Sequence, residues 1–268
     1  MKRVILWCIA ATAIACHKSP PPSKLVSISS DSTGAWDYTY TGDQITGITA
    51  DPASNPHYPG YAQVRYTDSA GQRYVNVLDF GDSVSYLYAL NKEGMPTQIS
   101  VASEIPGYAC VLGIFIYQPG TDLLDSVIYC PDGSYQYTFK IAYTGQNITG
   151  ITERYISSSQ SFIFNTYNFT YNNTANVFRK TDPLLYIYTY PSSAMGAQPM
   201  VVAAFFAETF SANTVDSINL YSTNFDSGRP GAYSTGVTCM TNADGKISAE
   251  VFSEFVFEWL AGKAYVYH

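Results

Sequence analysis

The sequence predicts an all-β fold, an antiparallel and strongly curved β-meander built from repeated hairpins, and three observations carry that expectation. The first is a repeat: Tyr40-Thr-Gly-Asp-Gln-Ile-Thr-Gly-Ile-Thr49 returns as Tyr143-Thr-Gly-Gln-Asn-Ile-Thr-Gly-Ile-Thr152, with eight of ten residues identical. Each copy sets an aromatic-rich run (Trp36, Tyr38, Tyr40; Phe139, Ile141, Tyr143) before a Thr-Gly turn and an isoleucine-rich run after it, the pattern of a β-hairpin. The second is a set of strand starts: Asp82-Ser83, Asp125-Ser126 and Asp216-Ser217 each precede alternating β-branched and aromatic residues. The third is the spacing of glycine turns at Gly94, Gly120, Gly133 and Gly245, as successive antiparallel strands require.

Composition fits an exported β protein. The chain has 268 residues, 46% hydrophobic, enough for one large core without a second domain. Charged residues make up 13%, against about 25% in ordinary soluble domains, and there are 24 tyrosines, so a surface of Tyr, Ser, Thr and Asn is expected. The 21 acidic side chains outnumber the 14 basic ones, two of which, Lys2 and Arg3, lie at the extreme N-terminus. That balance opposes a phosphate backbone and excludes nucleic acid as a partner.

Lys2 and Arg3 form a basic start, positions 4–14 a short apolar run, and Ala13-Ile-Ala-Cys16 follows. This segment resembles the lipobox of bacterial secreted lipoproteins, with Ala13 where leucine is usual. The resemblance implies cleavage before Cys16 and lipidation of Cys16, giving a signal peptide over 1–15, a lipidated Cys and proline-rich tether over 16–29, and one β domain over 30–268. Asp is absent from position 17, and no acidic run follows Cys16, so the expected place is the outer membrane, on its periplasmic or surface face. Pro20, Pro21 and Pro22 favour an extended tether. From Lys24 onward no run of eighteen apolar residues offers a membrane helix.

Along the domain, the proline-rich loop 51–60 separates the first hairpin from strands near 61–66 and 74–80. Residues 162–171 carry bulky groups at both parities, so both faces of that strand are candidates for cover. The apolar run 200–210 suits a buried strand or one short helix, which periodicity leaves open. Residues 247–259 follow an Asp-Gly turn and are rich in aromatics; we read them as a strand whose hairpin partner is 264–268.

The units Tyr-x-Tyr, turn, Ile-x-x-Ile resemble tyrosine-aspartate (YD or Rhs-type) repeats and uncharacterised Gram-negative, Bacteroidetes-type lipoproteins built from similar strands. Asn168-Phe-Thr-Tyr171, Phe210-Ser-Ala-Asn213 and Thr241-Asn-Ala-Asp-Gly-Lys246 resemble landmarks of the latter group's C-terminal half. The resemblance spans most of 30–268 and implies a curved meander of unassigned activity, with no functional residue to carry over.

Candidate chemistry is sparse. His17, His57 and His268 lie in the tether, a proline loop and the terminus, so no histidine metal site is expected. Ala232-Tyr-Ser-Thr-Gly236 has the outline of a nucleophile elbow, but strand-like residues follow where that motif needs a helix. Glu250, Glu254 and Glu258 form an acidic stripe; in a strand, residues four apart are separated by about 13 Å, too far for a glycosidase pair. Tyrosine stripes with Trp36 and Trp259 suit either cross-strand packing or stacking on sugar rings, packing being the better supported. Cys110 and Cys130 lie symmetrically about Gly120 and are a candidate cross-strand disulfide, with Cys239 left as a buried thiol. The expectation is a lipid-anchored, non-catalytic binding or scaffold module without cofactor or metal, whose partner is a polysaccharide or an envelope protein. The alternative is an envelope glycan-processing enzyme with dispersed carboxylates.

Overall fold

A computed structural model describes residues 24–30, 34–50, 61–79, 84–103, 109–129, 135–176, 206–207, 210–225, 229–243, 247–252 and 263–267. Sixteen strands cover them: β1 (Leu25–Ser30), β2 (Gly34–Thr41), β3 (Gln44–Ala50), β4 (Tyr61–Ser69), β5 (Gln72–Asp79), β6 (Val84–Leu90), β7 (Pro96–Ser103) and β8 (Ala109–Tyr117). The second half holds β9 (Leu124–Tyr129), β10 (Tyr135–Thr144), β11 (Asn147–Ser157), β12 (Ser161–Ala175), β13 (Asn213–Phe225), β14 (Arg229–Thr241), β15 (Ile247–Phe252) and β16 (Lys263–Tyr267). Every strand pairs antiparallel with its sequence neighbours, as a meander does. β1 also pairs with β16, with Ile28 opposite Tyr265, so the meander closes into a barrel. Closure removes both sheet edges, which would otherwise present unpaired backbone groups.

The repeated decapeptide forms two hairpins of the same geometry. Tyr40 lies opposite Ile45 and Thr39 opposite Gly47, with a bulge between; Tyr143 lies opposite Ile148 and Ala142 opposite Gly150, with a bulge at the same place. The turns need a left-handed residue, and Gly42 (φ 59°) and Gly145 (φ 61°) supply it without the steric penalty of a Cβ. The C-terminal hairpin also forms, Ala249 opposite Ala264. Two of the three expected strand starts differ: Asp125 and Asp216 lie within β9 and β13 rather than ahead of them. Their side chains are held on the outer face by cross-strand partners instead of by a turn. Lys140 Nζ meets both Asp125 carboxylate oxygens at 2.6 Å, and Thr170 Oγ1 donates to Asp216 at 3.5 Å.

Alternation sorts the residues by face. Val64, Val75, Val77, Tyr86, Tyr88, Ile99, Phe115, Val127, Phe139, Ile141, Ile151, Tyr167 and Phe169 are all buried in one continuous core. They oppose one another across the ladders, Val77 with Tyr86, Phe115 with Val127, Ile151 with Tyr167. The alternate positions point to solvent and are mostly polar: Thr39, Arg65, Lys140, Arg154, Asn168 and Thr170 are exposed. Among the described residues the lumen is therefore mainly apolar and the outer wall mainly polar, with Leu87, Ile116, Tyr221, Met240 and Val251 exposed among the polar side chains. The expected tyrosine-rich surface holds only in part: Tyr38, Tyr86, Tyr88, Tyr129 and Tyr167 are buried, whereas Tyr221 is 50% exposed. β12 likewise covers one face only, with Asn165, Tyr167 and Phe169 buried while Phe162 and Ile163 are 37% and 41% exposed.

A barrel of this many strands has a bore wide enough for water. Here the connection between β12 and β13 helps fill it. Phe206, Ala207 and Phe210 are helical and buried, which resolves the open run 200–210 in favour of the helix at those positions. The Phe206 ring meets Phe115 at 6.2 Å and Phe139 at 5.8 Å, both edge to face, and Phe210 at 6.2 Å. Ser211 fixes the way in: its hydroxyl accepts from the Ile148 backbone N–H at 3.0 Å and shares a hydrogen bond with the Tyr171 hydroxyl at 2.8 Å.

Candidate functional site at the aromatic end of the barrel

The two ends of the barrel differ. One, the tether end, gathers Leu25, Tyr267 and the tight turns at Gly42, Gly71, Gly94, Gly120 and Gly145. Lys24 is tied down there: its ammonium donates to the Gly42 carbonyl, pairs with Asp43 at 3.0 Å and sits 5.4 Å from the Tyr40 ring centre. At the opposite end, beside the 157–160 turn, β10, β11 and β12 bring four aromatic rings together. Tyr137 and Tyr155 face each other across the β10/β11 ladder with ring centres 5.5 Å apart. Phe162 lies 5.3 Å from Tyr155, and Phe164 lies 6.2 Å from Tyr137 and 6.3 Å from Phe162. Such spacing suits edge-to-face and tilted aromatic packing.

One layer further in lies the one buried carboxylate among the described residues. Glu153 is fully buried, opposite Phe139 on one side and Asn165 on the other. Its Oε2 accepts from Asn165 Nδ2 at 2.6 Å and from the Tyr167 hydroxyl at 3.0 Å. Its Oε1 and the Asn165 Oδ1 are buried without a hydrogen-bond partner. Burial pushes the Glu153 carboxyl up to about 7 against the downward pull of those two donors. The Tyr167 phenol is raised well above its ordinary value by burial and by the neighbouring carboxyl, so it stays a neutral donor. Ser222, opposite Asn165, extends the polar row onto β13.

The residues singled out from sequence fall elsewhere. Cys16, Cys130, Glu254, Glu258, Trp259, His17, His57 and His268 lie outside the described residues, and Trp36 is placed only as a member of β2, opposite Ala50. Glu250 pairs with Cys239 on β14 and Lys263 on β16. Residues 232–236 run through the middle of β14, so no elbow forms there. Cys110 lies in β8, and the expected β8/β9 hairpin turns at Gly120 (φ 74°). Direct opposition of Cys110 and Cys130 would need Leu112 opposite Ile128; the ladder instead places Ile114 there. A bulge between Ile116 and Tyr117 and a turn longer at its β9 side produce that two-residue offset. Glu153 went unnoticed in the sequence because an isolated glutamate in a polar strand reads as surface. Its parity with Ile151 and Tyr155 was the signal that could have placed it inside.

No family model matches the chain, and no curated protein does. Among solved structures, a porin-like protein from Bacteroides uniformis ATCC 8492 aligns over 92% of this chain and 98% of its own, at TM-score 0.54 and 15% identity. A porin-like protein from Bacteroides vulgatus ATCC 8482 aligns over 91% and 98%, at TM-score 0.48 and 9% identity. At such identity the first likeness is one of fold, a large antiparallel β architecture spanning nearly the whole of both chains.

Proposed function

We propose that the chain is a lipid-anchored envelope barrel that stands in water and binds or scaffolds a partner, without catalysis and without forming a channel. The observation that carries the reading is the polarity of the wall. A membrane-spanning barrel presents an apolar band to lipid and a polar lumen. Most described wall positions of this barrel are polar, with Arg65, Lys140 and Arg154 exposed along the strands and Leu87, Ile116, Tyr221, Met240 and Val251 scattered among them, while a valine, isoleucine and aromatic core lies inside. Each Arg or Lys on a lipid-facing wall costs about 2–4 kcal/mol at the bilayer midplane. The buried rings of Tyr88, Phe139, Tyr167, Phe206 and Phe210 in the lumen support a reading without an open channel.

The anchor would then be the acyl chains on Cys16, stable because more than one chain is buried. Lys24 enters at the tether end, and an extended segment from 17 to 24 reaches about 25 Å at ~3.1 Å per residue. That geometry turns the glycine turns toward the membrane and the ring cluster of Tyr137, Tyr155, Phe162 and Phe164 away from it. Partly exposed rings with nearby hydroxyl and amide groups suit the apolar face and hydroxyl rim of a sugar, and equally a protein partner's apolar side chain. A glycosidase needs two carboxylates flanking one bond; Glu153 has no carboxylate facing it among the described residues.

The test is a glycan array and an envelope pull-down, run with the full-length protein and its Phe162→Ser variant, beside a glycosidase and esterase substrate panel. Binding to a polysaccharide or an envelope protein that weakens in the variant supports the reading. Turnover abolished by a single Asp or Glu substitution overturns it.

A further inference from the structure

Inside the barrel, donors and acceptors around Glu153 do not balance. Glu153 Oε2 is satisfied twice, by Asn165 Nδ2 and the Tyr167 hydroxyl, while Glu153 Oε1 and Asn165 Oδ1, on directly opposed residues of β11 and β12, have no donor. Two buried acceptors without donors are expensive, and a buried carboxylate without a counter-charge is more so. Among the described residues no cation faces the pair, and no donor reaches either of these two oxygens. β10 presents Phe139, β12 presents Asn165 and Tyr167, β13 presents Ser222 beyond Asn165, and the helical segment lays Phe206 against Phe139. The cations of these strands, Lys140 and Arg154, sit at the alternate parity and are exposed.

We propose that Glu153 is carried as a neutral carboxylic acid whose proton on Oε1 is the donor the pair lacks, and that it works as a proton-operated latch on the aromatic end of the barrel. With the proton in place, the acid and the Asn165 amide tie β11 to β12 just beneath Tyr155 and Phe162. When the proton leaves for solvent, a bare carboxylate remains with two donors and an orphaned neighbour. Its cheapest relief is water, and the nearest entry is the partly exposed end, where Phe162 is 37% exposed. Ionisation therefore loosens the ring cluster from below while the rest of the barrel, filled by Phe206 and Phe210, stays packed. The acid's raised carboxyl value, near 7, places the change in the range an envelope experiences. The latch concerns the same end that the proposed binding role uses, but it stands on the barrel's own hydrogen bonds and needs no ligand.

The test is made on full-length protein without ligand, so its failure is separate from failure of the binding role. Carbon-13 labelling of the glutamate carboxyl groups should show one buried acid still protonated at pH 6 and ionised by pH 8. Amide protection at Glu153 and Asn165 should fall at least tenfold between those pH values, relative to Ile141 and Ile151 and after correction for intrinsic exchange. Glu153→Gln, which keeps a donor on the side chain and cannot ionise, should abolish that difference. A Glu153 carboxyl already ionised at pH 6 overturns the proposal, and so does an equal pH-dependent loss in wild type and Glu153→Gln. The carboxyl measurement uses the wild-type chain alone and decides the matter even if the variant does not fold.

Discussion

Truncating Phe206 to alanine tests whether the connection between β12 and β13 is part of the core or merely rests on it. The ring is 1% exposed and touches Phe115, Phe139 and Phe210. A buried phenylalanine removes on the order of 150 Å² from water, and at about 25 cal/mol per Å² that is roughly 4 kcal/mol. Phe→Ala substitutions in cores fall at about 3–5 kcal/mol once the cavity is included. Urea unfolding of Phe206→Ala should therefore lose about 4 kcal/mol with an unchanged slope, provided the transition is two-state. Combining it with Phe139→Ala should give a loss smaller than the sum of the singles, by about 0.5–1.5 kcal/mol for the edge-to-face pair. A loss under about 1 kcal/mol, or strict additivity, would refute the claim that this segment fills the lumen.

Three further outcomes follow from the same geometry. An unfolded Glu153 gives up its proton near 4.5 and the folded one near 7, so between those values only the folded chain holds it. Stability should fall as pH rises from about 4.5 to 7 and then level off, by about 3 kcal/mol at ~1.36 kcal/mol per pH unit, read as a difference in urea midpoints between wild type and Glu153→Gln. Gly145→Ala should cost about 1–2 kcal/mol, because a Cβ there meets no atom within 4 Å and the penalty is the left-handed backbone alone; Gly113→Ala, at ordinary φ, serves as the comparison in thermal melts. Finally, the described β8/β9 pairs run two residues off the symmetric register on which a Cys110–Cys130 bond relies. Titration of denatured, unreduced protein from which the signal peptide has been removed should find Cys110, Cys130 and Cys239 all reactive, and loss of two of them would show the bond despite the register.

What the sequence made legible was local. The decapeptide at 40–49 and 143–152 contains its own turn glycine and its own alternation, so both hairpins, down to the shared bulge, could be anticipated from adjacent residues. Closure could not, because the pairing of Leu25–Ser30 with Lys263–Tyr267 joins the two ends of the chain and neither segment carries a mark of its partner. The tyrosines divide between surface and core for a physical reason: their side chains are amphipathic, and the parity that Tyr38, Tyr88 and Tyr167 share with Ile48, Ile99 and Ile151 is what puts those three inside. A turn symmetric about Gly120 is the simplest reading of the β8/β9 sequence, but one extra residue on the β9 side of the turn and one at the bulge beside Tyr117 together shift the described oppositions by two. Glu153 was missed because burial of a lone acid is a property of the closed lumen, which exists only once all the strands are in place.

The measurement that bears most directly on the proposal of a water-facing, lipid-anchored barrel is the fate of the full-length chain carrying Cys16→Ser. On the proposed reading the acyl chains are the anchor, and a wall with Arg65, Lys140 and Arg154 exposed opposes insertion of the barrel itself. The variant should leave the membrane fraction, appear in the soluble periplasmic fraction and remain folded in buffer without detergent. Retention in washed membranes, extractable only by detergent, would contradict the account, because it would mean that the barrel wall itself is embedded in lipid.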